Sequence, residues 1–364
     1  MKLNVYFSKK IIYYFIFVFL IFFCFLSILT WIDILRLEFP ETISSSKLFY
    51  LALLKTPILV HPLVPIITLL TSFSFFINVS RNSELIIVRS AGRSALRNLL
   101  APMLTIFSLG VIMVLVINPI NTISLKLYNL ELNKINKLSA TYSINDAGIW
   151  LREGYIDGQR VVNAKSIIDN GNQLEEVTIF EFNQFRIPTA RIVSQIAIVT
   201  DKVWHLKNGK IWKVNRNDRP EDRAKSFKNM QIKTELNLEK IRLGFGKPSQ
   251  ISIWELNSFI KRIERAGFSS LKHQVYLNKE IALPVFMIGM FLIGGALNMG
   301  HSRRTKKGIS LFASIIMGIG AFLLNNLTEI LSENGAIPIL LGAWSAPFIT
   351  ILITLGIILH LEDG

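Results

Sequence analysis

The run IIYYFIFVFLIFFCFLSILTWI, residues 11–32, decides the fold. It passes without a single charged side chain. A bilayer core of about 30 Å takes roughly 20 apolar residues wound as a helix. A basic start followed by an apolar run also fits a signal peptide. This run is too long for that, and no small-x-small cleavage site follows it, so it reads as a retained membrane helix.

Five further runs of the same kind follow. They cover about 57–79, entered through the proline-rich PILVHPLVP, then 99–118, 281–299, 309–327 and 340–361. The composition agrees: 51% of residues are hydrophobic and 18% charged, with a mean hydropathy of +0.43. Soluble domains carry about a quarter charged residues. The charges present are uneven, sparse at both ends and ordinary in the middle. That pattern is of membrane segments flanking a soluble domain.

The net charge of +15 could serve nucleic acid or a membrane. Residues 119–280 hold 26 Lys and Arg against 17 Asp and Glu, leaving 14 against 8 elsewhere, mainly in short loops beside apolar runs. No DNA- or RNA-binding motif accompanies them, so nucleic acid is not an expected partner. The single cysteine, Cys24, lies in the first apolar run, which excludes an internal disulfide and a cysteine metal cluster.

Orientation follows from Lys and Arg in short loops. Lys2, Lys9 and Lys10 precede span 1. Arg81, Arg89, Arg93 and Arg97 lie between spans 2 and 3. Arg303, Arg304, Lys306 and Lys307 lie between spans 4 and 5. Residues 33–56 nearly balance, and 329–339 hold Glu329 and Glu333 with no base. Both termini and both basic loops are therefore expected in the cytoplasm. Residues 119–280 are then expected in the periplasm, between two groups of three spans.

The middle reads as β-structure. EEVTIFEFN and ARIVSQIAIVT are strand runs, and QIKTELNL is another. KVWHLKNGKIWKV reads as a hairpin with Asn208-Gly209 at its tip. Short strands joined by turns suggest a sandwich or jelly roll. Ser252 to Glu255 then forms a capping box, and Leu256, Phe259, Ile260 and Ile263 make one apolar helical stripe.

The expected architecture is an α-helical membrane protein with six transmembrane helices, three and three, and a periplasmic β-jelly-roll-like domain between helices 3 and 4. Its parts are residues 1–118 with a cytoplasmic coupling helix at 82–94, a β domain at 119–250, a connecting helix at 251–280, and the last three spans at 281–364.

The coupling helix comes from RNSELIIVRSAGRSALRN, residues 81–98, with four arginines. Asn82 or Ser83 can cap it, and Glu84 suits the dipole of the first turn. Leu85, Val88, Gly92 and Leu96 fall on one stripe, with Arg89, Arg93 and Arg97 on its flank. Gly92 leaves a notch for close approach. One reading is arginines that only fix topology and snorkel to headgroups. The other is a docking helix that plugs into a cytoplasmic partner.

NSELIIVRSAGRS resembles the cytoplasmic helix of the lipopolysaccharide-export permeases, the LptF/LptG family. GIWLREG followed by EEVTIFEFN resembles the start of that family's periplasmic domain. ISIWELNSFIKRIERAG and YLNKEIALPVFMIGMFLIGG resemble its return into span 4, and NGAIPILLGAWSAPF its run into the last span. The similarity covers essentially the whole chain. It leans toward LptG through NSELIIVRSAG and GAIPILLGAWSAP, with LptF as the alternative.

The resemblance implies a permease subunit of an LptB2FG-type ABC transporter. Such a subunit takes lipopolysaccharide from the inner membrane and passes it to a periplasmic bridge protein of the LptC type. An LptF-like permease and a dimer of an LptB-like ATPase would be the other partners. No nucleotide site is expected here: Gly246-Lys247 lacks the rest of a P-loop. Ser83, Glu84, Leu85, Val88, Arg89 and Gly92 would contact the ATPase. Arg36, just past span 1, would pair with a lipid phosphate, although Thr30 and Leu37 are not basic where the family's cluster is richer. Phe22, Phe25 and Leu29 of span 1, with Phe312, Ile316 and Phe322 of span 5, would line the lipid cavity.

Three polar features read as structural. His61, flanked by prolines, is expected at the start of a helix at interface depth. Asn298, Asn325 and Asn326 are expected to bond between helices. Ala296/Gly300 and Ser314/Gly318 are small-residue spacings that favour close approach. No cofactor, catalytic residue or metal site is expected, because the five histidines show no ligand spacing. One rival reading is a mechanical ABC subunit that works a periplasmic domain without carrying lipid.

Overall fold

The computed structural model describes residues 2–36, 44–81, 95–136, 142–145, 148–155, 158–168, 173–185, 187–200, 203–213, 224–234, 247–265, 269–298 and 307–363. The chain forms two compact units. One comprises residues 1–136, 252–254 and 271–364, and the other 137–251 and 255–270.

The first unit is helical. α1 spans Lys2–Leu35. α2 (Ser45–Val60), a 3-10 turn (His61–Leu63) and α3 (Val64–Arg81) follow in one apolar stretch. α4 (Ala95–Ile112) passes through a π-helical turn (Met113–Ile117) into α5 (Asn118–Asn136). Only the first turn of α6 (Ile253–Arg265) belongs to this unit. α7 (Leu271–Asn298), α8 (Lys307–Glu333) and α9 (Ile339–Asp363) complete it.

Six stretches among the described residues are long and apolar enough to cross a membrane: Asn4–Leu35, Ser45–Arg81, Leu99–Leu132, Leu271–Ala296, Leu311–Glu333 and Ile339–His360. Each overlaps one of the six expected runs. Two differ in length. The second begins at Ser45 rather than 57. The third helical run continues to Asn136, beyond the expected end at 118. The extension is less apolar, but it is amphipathic and has a partner. Leu125 and Tyr128 of α5 pack with Ile34 of α1 and with Leu48, Leu51 and Ala52 of α2. The Ser124 hydroxyl donates to the Leu54 carbonyl at 2.8 Å.

α7 is the pillar of this unit and the most buried of the six stretches. Phe286, Met287, Met290, Phe291, Leu292 and Ile293 are all buried. It packs on α3, α4, α8 and α9. Two glycines permit the closest approaches. A Cβ on Gly110 of α4 would stand 2.6 Å from the Pro284 Cα, and one on Gly294 would stand 2.2 Å from the Ser72 hydroxyl oxygen. The expected small pair Ser314/Gly318 is buried, with Gly318 against Leu69 of α3. Of the other pair, Ala296 is buried and Gly300 lies outside the described residues.

The second unit is an antiparallel sheet. Its strands are β1 (Tyr142–Asn145), β2 (Gly148–Tyr155), β3 (Gly158–Ala164), β4 (Ser166–Ile168), β5 (Gln173–Asn183), β6 (Pro188–Val199), β7 (Val203–Lys213) and β8 (Lys225–Lys233). Neighbours follow chain order, with β3 and β4 both pairing with β5. The described strands thus form a meander, without the Greek-key crossings of a jelly roll.

The hairpin expected at 202–214 is corrected for residues 203–213. These residues form one continuous strand, paired with β6 on one side and β8 on the other. Asn208 does take the left-handed backbone that an Asn-Gly turn requires, with φ of 52°. It uses that freedom for a bend. Pairing skips one line of opposed residues, Glu176, Gln195, Asn208 and Lys228, without a change of register. Glu176 is also left-handed, with φ of 47°. The inward side chains change parity across this line: Leu174 then Val177 on β5, and Ala197 then Ser194 on β6. A crease therefore crosses four strands.

The crease lets one face close on itself. Leu151, Val162, Leu174, Ile179, Trp204 and Leu206 share a single core. Arg160 of β3 donates to the Lys233 carbonyl at the far end of β8 at 3.0 Å, while its Nη2 lies 2.7 Å from the Glu181 carboxylate. Strands four places apart meet in this way only when the sheet is folded over. The Ser194 hydroxyl lies 2.8 Å from the carbonyls of both Ile196 and Lys207, filling the gap in the ladder.

In the helical unit, Gly110→Ala is expected to destabilise by about 1–3 kcal/mol through overpacking. This outweighs the gain of about 1 kcal/mol from helix propensity. Gly356→Ala, with nothing within 4 Å of the added carbon, is the control and should not destabilise. Unfolding midpoints in detergent check both.

Candidate functional site

The six residues of the expected docking helix, Ser83, Glu84, Leu85, Val88, Arg89 and Gly92, lie outside the described residues. The helices that flank them are described: α3 ends at Arg81 and α4 begins at Ala95. Arg36 follows the last turn of α1, its backbone N–H 3.3 Å from the Ile32 carbonyl. Its side chain is exposed and forms no ion pair among the described residues.

The six expected cavity residues divide. Phe25 and Leu29 of α1 and Phe312 and Ile316 of α8 are exposed. Phe22 and Phe322 are partly buried, but in different clusters. Phe22 packs with the α1–α3–α4–α7 core, and Phe322 with the α3–α7–α8 cluster. α1 and α8 are the helices with the least cover. Tyr13, Phe17, Leu20 and Ile28 stand out from α1, and Ile309, Ile319, Leu323 and Leu327 from α8. Apolar faces of this extent belong against lipid or another protein.

A buried polar chain, which the sequence reading missed, crosses the middle of the unit. Proline has no N–H, so Pro62 and Pro65 break the helix between α2 and α3. His61 sits at that break. Its Nε2 lies 2.9 and 3.0 Å from the two carboxylate oxygens of Glu280 on α7, and both side chains are buried. The Tyr276 hydroxyl, one turn earlier on α7, faces Glu280. It accepts from the Asn118 side-chain amide at 3.1 Å. The Asn118 side-chain oxygen accepts the backbone N–H of Ile253 at 3.1 Å.

His61 therefore stands at a helix entry, as expected, with its side chain buried against Glu280. The signal that could have found its partner was Lys279-Glu280, two charges set against an apolar run. They separate in the fold: Lys279 pairs with Glu329 of α8, while Glu280 turns inward. Removing one partner of a buried pair leaves an uncompensated charge, at a cost of about 3–5 kcal/mol.

On the sheet, a concave pocket of about 640 Å³ opens at the crease, lined by Lys165, Glu176, Gln195, Asn208, Lys210 and Trp212 among others. The Lys165 ammonium lies 2.6 Å from Glu176, and this carboxylate raises the lysine above its ordinary pKa. Beside the pocket, Arg191 stands over the rings of Phe180 and Trp212, at 5.7 and 5.6 Å. The face combines cations with aromatic surface.

Six helical stretches among the described residues that are long and apolar enough to cross a membrane, interrupted by a separate antiparallel sheet, define a multi-pass membrane protein. The chain belongs to the lipopolysaccharide export system permease LptF/LptG family, whose pattern it matches over residues 5–360. That family supplies the permease of lipopolysaccharide export in the inner membrane. No curated protein matches the chain.

His61→Leu and Glu280→Leu should each lower stability by about 3–5 kcal/mol, and the double variant by much less than their sum. Unfolding midpoints of the four proteins in detergent give the coupling. Simple additivity would remove the pair from this account.

Proposed function

We propose that this chain is the LptG-type permease half of an LptB2FG-type ABC transporter, extracting lipopolysaccharide and handing it to an LptC-like bridge. One observation carries the reading. In a chain of the export-permease family, α1 and α8 leave broad apolar faces uncovered. An LptF-like partner facing them would enclose an acyl-lined chamber. Phe25, Leu29, Phe312 and Ile316 supply its wall, with Phe22 and Phe322 behind them. Arg36 supplies a cation at the rim for a lipid phosphate. NSELIIVRSAG and GAIPILLGAWSAP favour the LptG over the LptF role.

ATP hydrolysis belongs to an LptB-like dimer that docks on residues 82–94: Ser83, Glu84 and Arg89 make polar contacts, and Leu85, Val88 and Gly92 fill the groove. The Lys and Arg distribution supports cytoplasmic termini and a periplasmic 119–280 segment. The folded-over antiparallel sheet supports a path for lipid toward the bridge protein.

Glu84→Ala and Arg89→Glu should weaken ATPase co-purification several-fold and leave membrane insertion intact. Undiminished recovery of the ATPase with both variants refutes the docking role.

Arg36→Glu should lower lipopolysaccharide transfer from reconstituted vesicles, and a photocrosslinker at Phe25 or Phe312 should label the lipid. Labelling at neither position favours a mechanical subunit that carries no lipid.

A further inference from the structure

The buried polar chain joins two places where the membrane helices leave α-geometry. One is the 3-10 turn that begins at His61. The other is the π-helical turn that ends just before Asn118. Short 3-10 and π segments inside helices are places where the hydrogen-bond ladder can slip by one residue. Both irregularities are tied to the same face of α7, through Glu280 and Tyr276, four residues apart.

The contacts are serial. The Ile253 N–H donates to the Asn118 oxygen and the Asn118 amide to the Tyr276 oxygen, and the Tyr276 hydroxyl faces Glu280 one turn on. His61 Nε2 lies against both oxygens of that carboxylate, and His61 Nδ1 is buried without a hydrogen-bond partner among the described residues. The far end has a second grip. The Trp254 indole N–H donates at 3.2 Å to the Leu115 carbonyl, inside the π turn. Residues 252–254 are the last of α6's approach that belong to the helical unit; from Glu255 the chain belongs to the unit that bears the sheet.

We propose that His61, Glu280, Tyr276 and Asn118 form a mechanical relay from the break between α2 and α3 to the root of α6. Movement of that break against α7 pulls on Glu280. Tyr276 passes the displacement to Asn118, and Asn118 loosens or tightens the first turn of the helix that leads to the sheet. These are positioning residues; none needs to touch a transported molecule. The relay goes beyond the transport reading and does not rest on the identity of the cargo.

Hydrogen–deuterium exchange of the purified full-length protein in detergent tests it. Tyr276→Phe removes one hydroxyl and no atom bonded to α6. It should raise exchange of the 253–258 amides roughly tenfold. His61→Gln, further along the chain of bonds, should raise the same amides in the same direction. Asn118→Ala should raise them whether Asn118 is a relay member or a local cap. Wild-type exchange at 253–258 in both Tyr276→Phe and His61→Gln, with the rise confined to Asn118→Ala, overturns the relay. Neither ATPase nor lipid enters the measurement, so its failure is distinct from failure of the transport reading.

Discussion

Hydrocarbon offers no hydrogen-bond partner, and that single lack shapes most of this molecule. Many hydroxyls in the spans turn back on their own helices. Ser27 bonds the Phe23 carbonyl, Thr30 that of Leu26, Thr56 that of Ala52, and Thr350 that of Ala346. Ser72 instead crosses to the Phe291 carbonyl at 2.6 Å, which draws α3 against α7 where Gly294 leaves room. A histidine and a glutamate survive inside because each satisfies the other. The sheet obeys the same rule by standing in a separate unit. Its edge strands among the described residues, β1 and β8, carry backbone groups that a lipid interior does not tolerate.

The membrane half was legible because hydropathy reports the solvent directly. Each of the six runs read from composition overlaps one membrane-length helical stretch. The ends were less legible. Residues 119–136 alternate apolar and polar groups, and only the presence of α2 beside them makes Leu125 and Tyr128 a buried face. The strands were legible too, but Asn208-Gly209 misled. The local signal, a residue able to take positive φ, was read correctly. Whether it closes a hairpin or bends a long strand depends on Gln195 and Lys228, which oppose it from neighbouring strands. No window of contiguous sequence contains that information.

The site divides along the same line. The resemblance to the export permeases named six apolar residues of spans 1 and 5, and four of the six are exposed. Pattern could not tell that Phe22 and Phe322 turn inward, since that depends on which neighbours cover each face. His61 was noticed because histidine is rare in such a run. Glu280 was not, since a charge at the edge of an apolar stretch ordinarily marks the water boundary. Their meeting, 219 residues apart in sequence, is a property of the packed helices alone.

The π-helical turn at Met113–Ile117 has a further consequence. Such a turn is an α-helix holding one surplus residue. If the surplus migrates along the ladder, the helix beyond it rotates by about 100° without changing its bonded ends. Asn118 stands immediately downstream, so its compass bearing toward α7 is set by where that surplus is parked. The third span thus carries an adjustable phase, a vernier between the face it shows lipid and the face it shows its neighbours.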